Sequence, residues 1–238
     1  MSRWPKRVNK IKGFLKYANS LARLRYTALN DRRLKKYFTD NPVERLHVGC
    51  GLSVLPGWCN VLYDRNQEYG RVKSLNGAWW LNYNLLKPWP WPENNVRFVA
   101  GAHFIEHLNI NQCLKFCRGA FKVLKSGGVI RLSCPDLEIY ARNYVQGNDQ
   151  FFADQEIRKA CAYNDAETPS QIFAAKAYDN NGAHKWFHDF SSLKNILQRS
   201  GFVNIRKVAR LEGKTPDLSL LEIPQREIET VYVEAEKP

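Results

Sequence analysis

The 238-residue sequence predicts an α/β fold, a largely parallel sheet covered by helices on both faces. Three observations carry that expectation. Short β-branched runs alternate with segments whose apolar residues recur at helical spacing. The first strand candidate, Leu46 to Val48, stops at Gly49-Cys50-Gly51, where backbone N–H groups lie open to a ligand's polar end. The next run, Val61 to Tyr63, ends in Asp64, an acid at a strand tip that can take the two hydroxyls of a ribose. Strand, glycine turn and acid-tipped strand suggest a nucleoside-type cofactor, although a plain tight turn explains the G-x-G string equally well.

The elements follow in order. Asn41-Pro42 punctuates the start of the domain. Ala78 to Leu86 is a short apolar segment, and Lys87 to Pro92 (KPWPWP) must be an extended loop, because proline cannot donate to a ladder and pushes its predecessor out of the helical region. Val96 to Ala102 reads as a buried strand. Ile110 to Leu124 has helical spacing through Leu114, Cys117 and Phe121, and stops at Ser126-Gly127-Gly128. Val129 to Cys134 is the next strand, and Pro135-Asp136 opens another helix. Residues 147–183 are polar with short helical patches and read as a lid or insertion. Ser191 to Arg199 is a short helix, capped by Asp189 or Ser191 and ended by Gly201. Two further strands, Phe202 to Ala209 and Glu229 to Ala235, complete the domain.

Bulk properties narrow the function. The hydrophobic fraction of 44% and charged fraction of 25% are ordinary for a globular domain with a real core. The net charge of +13 is unevenly placed: residues 1–40 carry +10 and the remaining 198 only +3. Within the basic leader, Val8, Ile11, Leu15, Ala18 and Ala22 form one apolar helical face, with Lys10, Lys12, Lys16, Arg23 and Arg25 around it. Such a helix can lie on an anionic membrane, contact nucleic-acid phosphate, or pack on its own domain. No apolar run approaches the roughly 20 residues of a spanning helix, and the N-terminus lacks the apolar core of a signal peptide. A cytoplasmic location, peripheral to a membrane if the leader binds one, is therefore expected. The six cysteines then stay reduced, and without a C-x-x-C pair no zinc knuckle is expected.

The strings LHVGCG, PGWCNV, HFIEHL, FKVLKSGGVIRLSCPDLE and the final VYVEAEK follow one another as in a known family. From about Arg45 onward the chain resembles the class I S-adenosylmethionine-dependent methyltransferases, closest to bacterial-type groups associated with glycan and sugar biosynthesis. The resemblance implies a Rossmann-like sheet of seven strands, mostly parallel with the last one antiparallel, preceded by the leader of residues 1–40. It implies S-adenosyl-L-methionine as cofactor, with Gly49, Cys50 and Gly51 beneath its methionine part and Asp64 on its ribose. Ala102 and His103 then border the cofactor at the fourth strand. His47 stands where the family's first motif carries an acid, and Asn84 where relatives carry an aspartate near the adenine amino group; its side-chain oxygen can still accept that bond.

Methyl transfer from a sulfonium is an in-line displacement, so the acceptor must be oriented, and a hydroxyl acceptor must lose a proton. His103, His107 and His184 are candidates for that base, with Asp136 to orient or assist one of them. Glu106 and His107 read equally as residues that cap and pin the following helix. His103 to His107 also fits H-x-x-E-H, a zinc-hydrolase pattern, but it falls at a strand-to-helix junction rather than on a helix. His184 and His188, four apart, can hold a metal only if helical. No metal is expected. Trp186, Trp89 and Trp91 offer stacking surfaces for sugar rings if they are not simply buried. Cys134-Pro135-Asp136 departs from the D/N-P-P-Y/F motif of base-modifying enzymes, and the nearly neutral main domain lacks a phosphate-tracking face. The favoured reaction is O-methylation of a sugar hydroxyl in a glycan or nucleotide-sugar. An RNA-modifying enzyme using the leader, and a non-catalytic membrane-surface relative, are the alternatives.

Overall fold

The computed structural model describes residues 29–75, 77–159, 165–178 and 182–238. The amphipathic pattern at the N-terminus lies outside them. Residues 29–40 are helical (α1), and the chain then runs through β1 (Arg45–Val48), β2 (Cys59–Leu62), β3 (Val72–Leu75), β4 (Ala78–Asn82) and β5 (Val96–Ala102). A 3-10 turn, Ile105–His107, leads to α2 (Ile110–Val123) and β6 (Leu124–Pro135). Four short helices follow: α3 (Leu137–Val145), α4 (Asp149–Ala153), α5 (Gln155–Lys159) and α6 (Pro169–Ala177). The chain closes with α7 (Phe190–Arg199), β7 (Val203–Val208), α8 (Leu218–Leu221), a 3-10 segment at Pro224–Glu229 and β8 (Thr230–Glu236).

The strands form one sheet in the order β3-β4-β2-β1-β5-β6-β8-β7. The five strands β4, β2, β1, β5 and β6 are parallel, and β8 runs antiparallel between β6 and β7, as the Rossmann-like reading requires. The sheet has eight strands rather than seven. The extra one is β3, an edge strand paired antiparallel with β4, with Leu75 opposite Ala78. Its signal in the sequence is the dipeptide Asn76-Gly77 between two short runs; Gly77 has the positive φ of +74° that hairpin turns need.

Leu46 and Val48 point to the face covered by α1, α2 and α7, where the main core lies. Leu34 and Phe38 of α1 are buried in it, so a helix that precedes the expected domain start at residue 41 belongs to the core. Helix α2 starts where the sequence places it, under a reciprocal capping box between Asn109 and Gln112. Trp89 and Trp91 of the proline loop are buried in the same core, 5.6 Å apart edge to face, with Trp89 Nε1 donating to the Leu85 carbonyl. They are core residues and cannot stack on a sugar. Trp186, by contrast, is exposed.

The opposite face is covered by residues 209–229, where Leu218 and Leu221 pack on Leu55, Trp58 and Ala100. Arg131 of β6 pins this cover. Its guanidinium binds Glu222 through two contacts of 2.7 and 3.0 Å, donates to the carbonyls of Glu212 and Ala209, and lies 3.6 Å from Glu234. All three charged side chains are buried.

Around Tyr140 of α3, the described residues Phe151, Phe152, Ile157 and Ile172 form a small core of their own. It is tied to the sheet by a buried ion pair between Lys176 and Glu229 at 2.9 Å, and Tyr140 donates to the same carboxylate at 2.6 Å. Next to it His188 is buried, its Nδ1 2.9 Å from the Ser192 hydroxyl, and burial drops its pKa from 6.5 to about 4. His188 is thus neutral in the folded chain at pH values where the unfolded chain protonates it. Its contribution to stability is complete above pH 6.5 and is lost as pH falls toward 4, a loss of about 3 kcal/mol. Urea unfolding at pH 7 and pH 4.5 should show this loss, and His188→Gln should flatten the slope; an equal slope in the variant would assign the effect elsewhere.

Candidate functional site

The sheet order reverses at β1: the chain moves outward through β2 and β4 and then returns to lay β5 on β1's other side. Ligands of open α/β sheets bind at such a switch point, at the carboxyl ends of the strands. A cavity of about 180 Å³ sits there, lined among others by His47, Gly49, Cys50, Ala102, His103 and Arg226. The sequence places the first five of these at the cofactor; Arg226 it misses, because it arrives from the far 3-10 segment. The volume is below the roughly 300–1,000 Å³ of pockets that enclose a whole small molecule. It has room for only one end of a larger ligand.

Gly49 and Gly51 both have left-handed backbones, φ +65° and +53°. They differ in what surrounds them. A Cβ on Gly49 would stand 2.4 Å from the Phe104 ring, whereas nothing lies within 4 Å of one on Gly51. Gly49 is small for packing, and Gly51 borders open space. Burial lowers the pKa of His47, whose Nδ1 lies 3.0 Å from Asn60 Oδ1, so the ring is neutral. Burial also pushes the Cys50 thiol up to about 11, and it stays protonated at neutral pH.

Asp64 and Asn84 occupy the neighbouring tips of β2 and β4 but do not line the cavity. The Asp64 carboxylate accepts from the Asn66 amide at 2.8 Å and from Gln67 Nε2 at 3.1 Å. Each oxygen keeps a second lone pair. Asn84 Oδ1 accepts from the Leu86 amide at 2.9 Å.

The catalytic candidates separate. Asp136 does not meet the histidines: it caps α3 by accepting from the Glu138 amide and pairs with Lys207 at 3.2 Å. Burial raises its pKa against that lysine. His103, at φ +49°, has both ring nitrogens engaged. Arg226 Nη1 lies 3.0 Å from His103 Nδ1, and a guanidinium can only donate, so Nδ1 accepts and Nε2 carries the proton toward Thr230 Oγ1 at 3.0 Å. With its lone pair committed to Arg226, His103 positions the cavity wall and is not a free base. His107 and His184 come together, their rings 5.0 Å apart. His107 Nδ1 lies 3.3 Å from the Ala183 carbonyl and His184 Nδ1 3.1 Å from that of Lys176. A ring nitrogen facing a carbonyl must donate, so each Nδ1 carries a ring proton. Glu106, read as capping the next helix, is buried between these rings and His103.

No protein-family model matches the chain, and no curated protein matches it. Similar solved structures include a SAM-dependent methyltransferase from Archaeoglobus fulgidus, 16% identical, covering 88% of this chain and 94% of that one at a TM-score of 0.46. A Thermotoga maritima protein described as a SAM-dependent methyltransferase, possible histamine N-methyltransferase, is also 16% identical, with 94% and 98% covered and a TM-score of 0.46. A possible exported protein from Bordetella parapertussis is 13% identical, with 89% and 68% covered and a TM-score of 0.43. Likenesses of this degree assign no activity. Among the described residues, no helix is long and apolar enough to cross a membrane. The chain is a Rossmann-like α/β protein by its own strand order, and its function has to be read from the switch-point cavity and the residues around it.

Proposed function

We propose that the chain is an S-adenosylmethionine-dependent methyltransferase acting on a hydroxyl, with a sugar hydroxyl of a glycan or nucleotide-sugar as the favoured acceptor. The observation that carries this reading is the open Gly51 turn beside a switch-point cavity, with an acid at the adjacent strand tip. These residues fit such a donor. The turn from Gly49 to Gly51 and the rim at Ala102 would hold one end, and Asp64, with a lone pair left on each oxygen, would take the ribose. Bound there, the donor supplies an electrophilic methyl carbon on a sulfonium.

The chain's own tasks are to hold the acceptor and take up its proton. His107 and His184, each held through Nδ1 on a backbone carbonyl, are the candidates for the second task, while Arg226 and Thr230 fix His103 as part of the wall. Trp186 adds an exposed aromatic face on the same loop as His184, which suits a sugar ring. Calorimetric titration with S-adenosylmethionine and S-adenosylhomocysteine tests the reading. Micromolar binding is expected, weakened about 10–100-fold in Asp64→Ala by loss of charge-assisted hydrogen bonds to the ribose. Absence of binding to the folded wild-type protein would refute it.

A further inference from the structure

We infer that Glu106, His107 and His184 form a binding site for one divalent transition-metal cation. Their ligand atoms lie within 4.8 Å of one another. Three further observations make this more than a crowd of polar groups. First, both imidazoles give their Nδ1 proton to a backbone carbonyl, which orients each ring as metal-binding histidines are oriented. Second, Glu106 is buried, and its Oε2 has no hydrogen-bond partner. Among the described residues no lysine or arginine pairs with it; its Oε1 lies 3.5 Å from His103 Nδ1. A buried carboxylate left in that condition is costly, and a cation removes the cost. Third, the loop bearing His184 is fastened to the Glu106 turn itself, because the amides of Lys185 and Trp186 both donate to the Glu106 carbonyl, at 2.8 and 3.2 Å.

The donor set names the class of ion. Two imidazoles and one carboxylate suit Zn²⁺, Co²⁺ or Mn²⁺ rather than Ca²⁺ or Mg²⁺, which prefer all-oxygen surroundings. Bonds of about 2.0–2.2 Å set donor atoms roughly 3–4 Å apart, so the three side chains close by about an ångström on binding. Three protein ligands leave at least one coordination position open, the pattern of a reactive site rather than a structural one. An oxygen bound at that position is acidified and gives up its proton more readily. On the methyltransferase reading, that oxygen is the acceptor hydroxyl, which passes its proton to solvent because both imidazoles then serve the cation in place of taking that proton; cation binding itself does not rest on that reading.

The test uses the full-length chain stripped of metal and titrated with Co²⁺, followed by calorimetry and visible absorption, with Zn²⁺ as competitor. One equivalent should bind, with d–d bands and no thiolate charge-transfer band, and Zn²⁺ should displace it. Affinity should fall at least about tenfold in His184→Ala and in Glu106→Gln, the second of which preserves side-chain volume. No uptake by the folded wild-type chain at millimolar cation, a thiolate band, or unchanged affinity in both variants would overturn the site. Donor affinity measured on the same samples keeps the two ideas apart: cation uptake without donor binding leaves the site standing and removes the methyltransferase reading, and donor binding without uptake does the reverse.

Discussion

Arg131→Met is expected to destabilise the fold by about 3–5 kcal/mol, the range seen when one partner of a buried ion pair is removed. Methionine fills much of the volume, so the loss is electrostatic. Glu222 would lose both of its contacts to the guanidinium, and the carbonyls of Ala209 and Glu212 would lose a donor. Glu234 would keep the amides of Lys214 and Thr215 at 2.9 and 3.0 Å, so Glu222 is the carboxylate left most exposed to the change. The double variant Arg131→Met/Glu222→Gln should therefore recover part of the loss. Urea unfolding measures both. A single-variant loss below about 1 kcal/mol, or no recovery in the double variant, would mean the pair is not what fastens residues 209–229 to the sheet.

The second large effect divides two neighbouring glycines. Gly51→Arg should abolish donor binding, weakening it by at least about 100-fold, because its side chain would occupy the open space over the turn. Its effect on stability should be small, about 1–2 kcal/mol for a side chain at φ +53°. Gly49→Ala should do the reverse. A methyl at φ +65° and 2.4 Å from the Phe104 ring combines left-handed strain with overpacking, at about 2–4 kcal/mol, while the open side of the turn is untouched. Thermal unfolding and calorimetry on both variants separate the roles. Wild-type donor affinity in Gly51→Arg would show that the donor does not lie on this turn.

Much of the architecture was legible in the sequence because local signals agree with the fold. The alternation of β-branched and helical-period segments gives the parallel sheet, and Asn109, Asp136 and Asp189 mark helix starts by side-chain capping. The site was legible only where it follows the chain. Gly49, Cys50, Ala102 and His103 border the cavity because each lies at the end of a parallel strand. Roles set by distant partners were not readable. Arg226 reaches His103 across 123 residues and takes its lone pair. Lys207 pairs with the Asp136 carboxylate at 3.2 Å across 71 residues, a contact no local pattern announces. Glu106 reads as a helix-capping acid until His184, on a loop 78 residues on, is seen to close over it. The edge strand β3 is different: Asn76-Gly77 was a sufficient signal between two short runs that alternate too weakly to read as strands alone.

The position of β6 has a consequence for how the chain is made. One long edge of β6 pairs with β5, which precedes it, but the other pairs over seven residues with β8, the last strand of the chain. Until β8 is made, the β8 side of β6 is an unpaired edge. Arg131 then has neither Glu222 nor Glu234 beside it, and Glu229 is not yet there to receive Lys176. Residues 136–229 are made while that edge is open to other strands. The sheet and both buried charge clusters are complete only once β8 lies between β6 and β7.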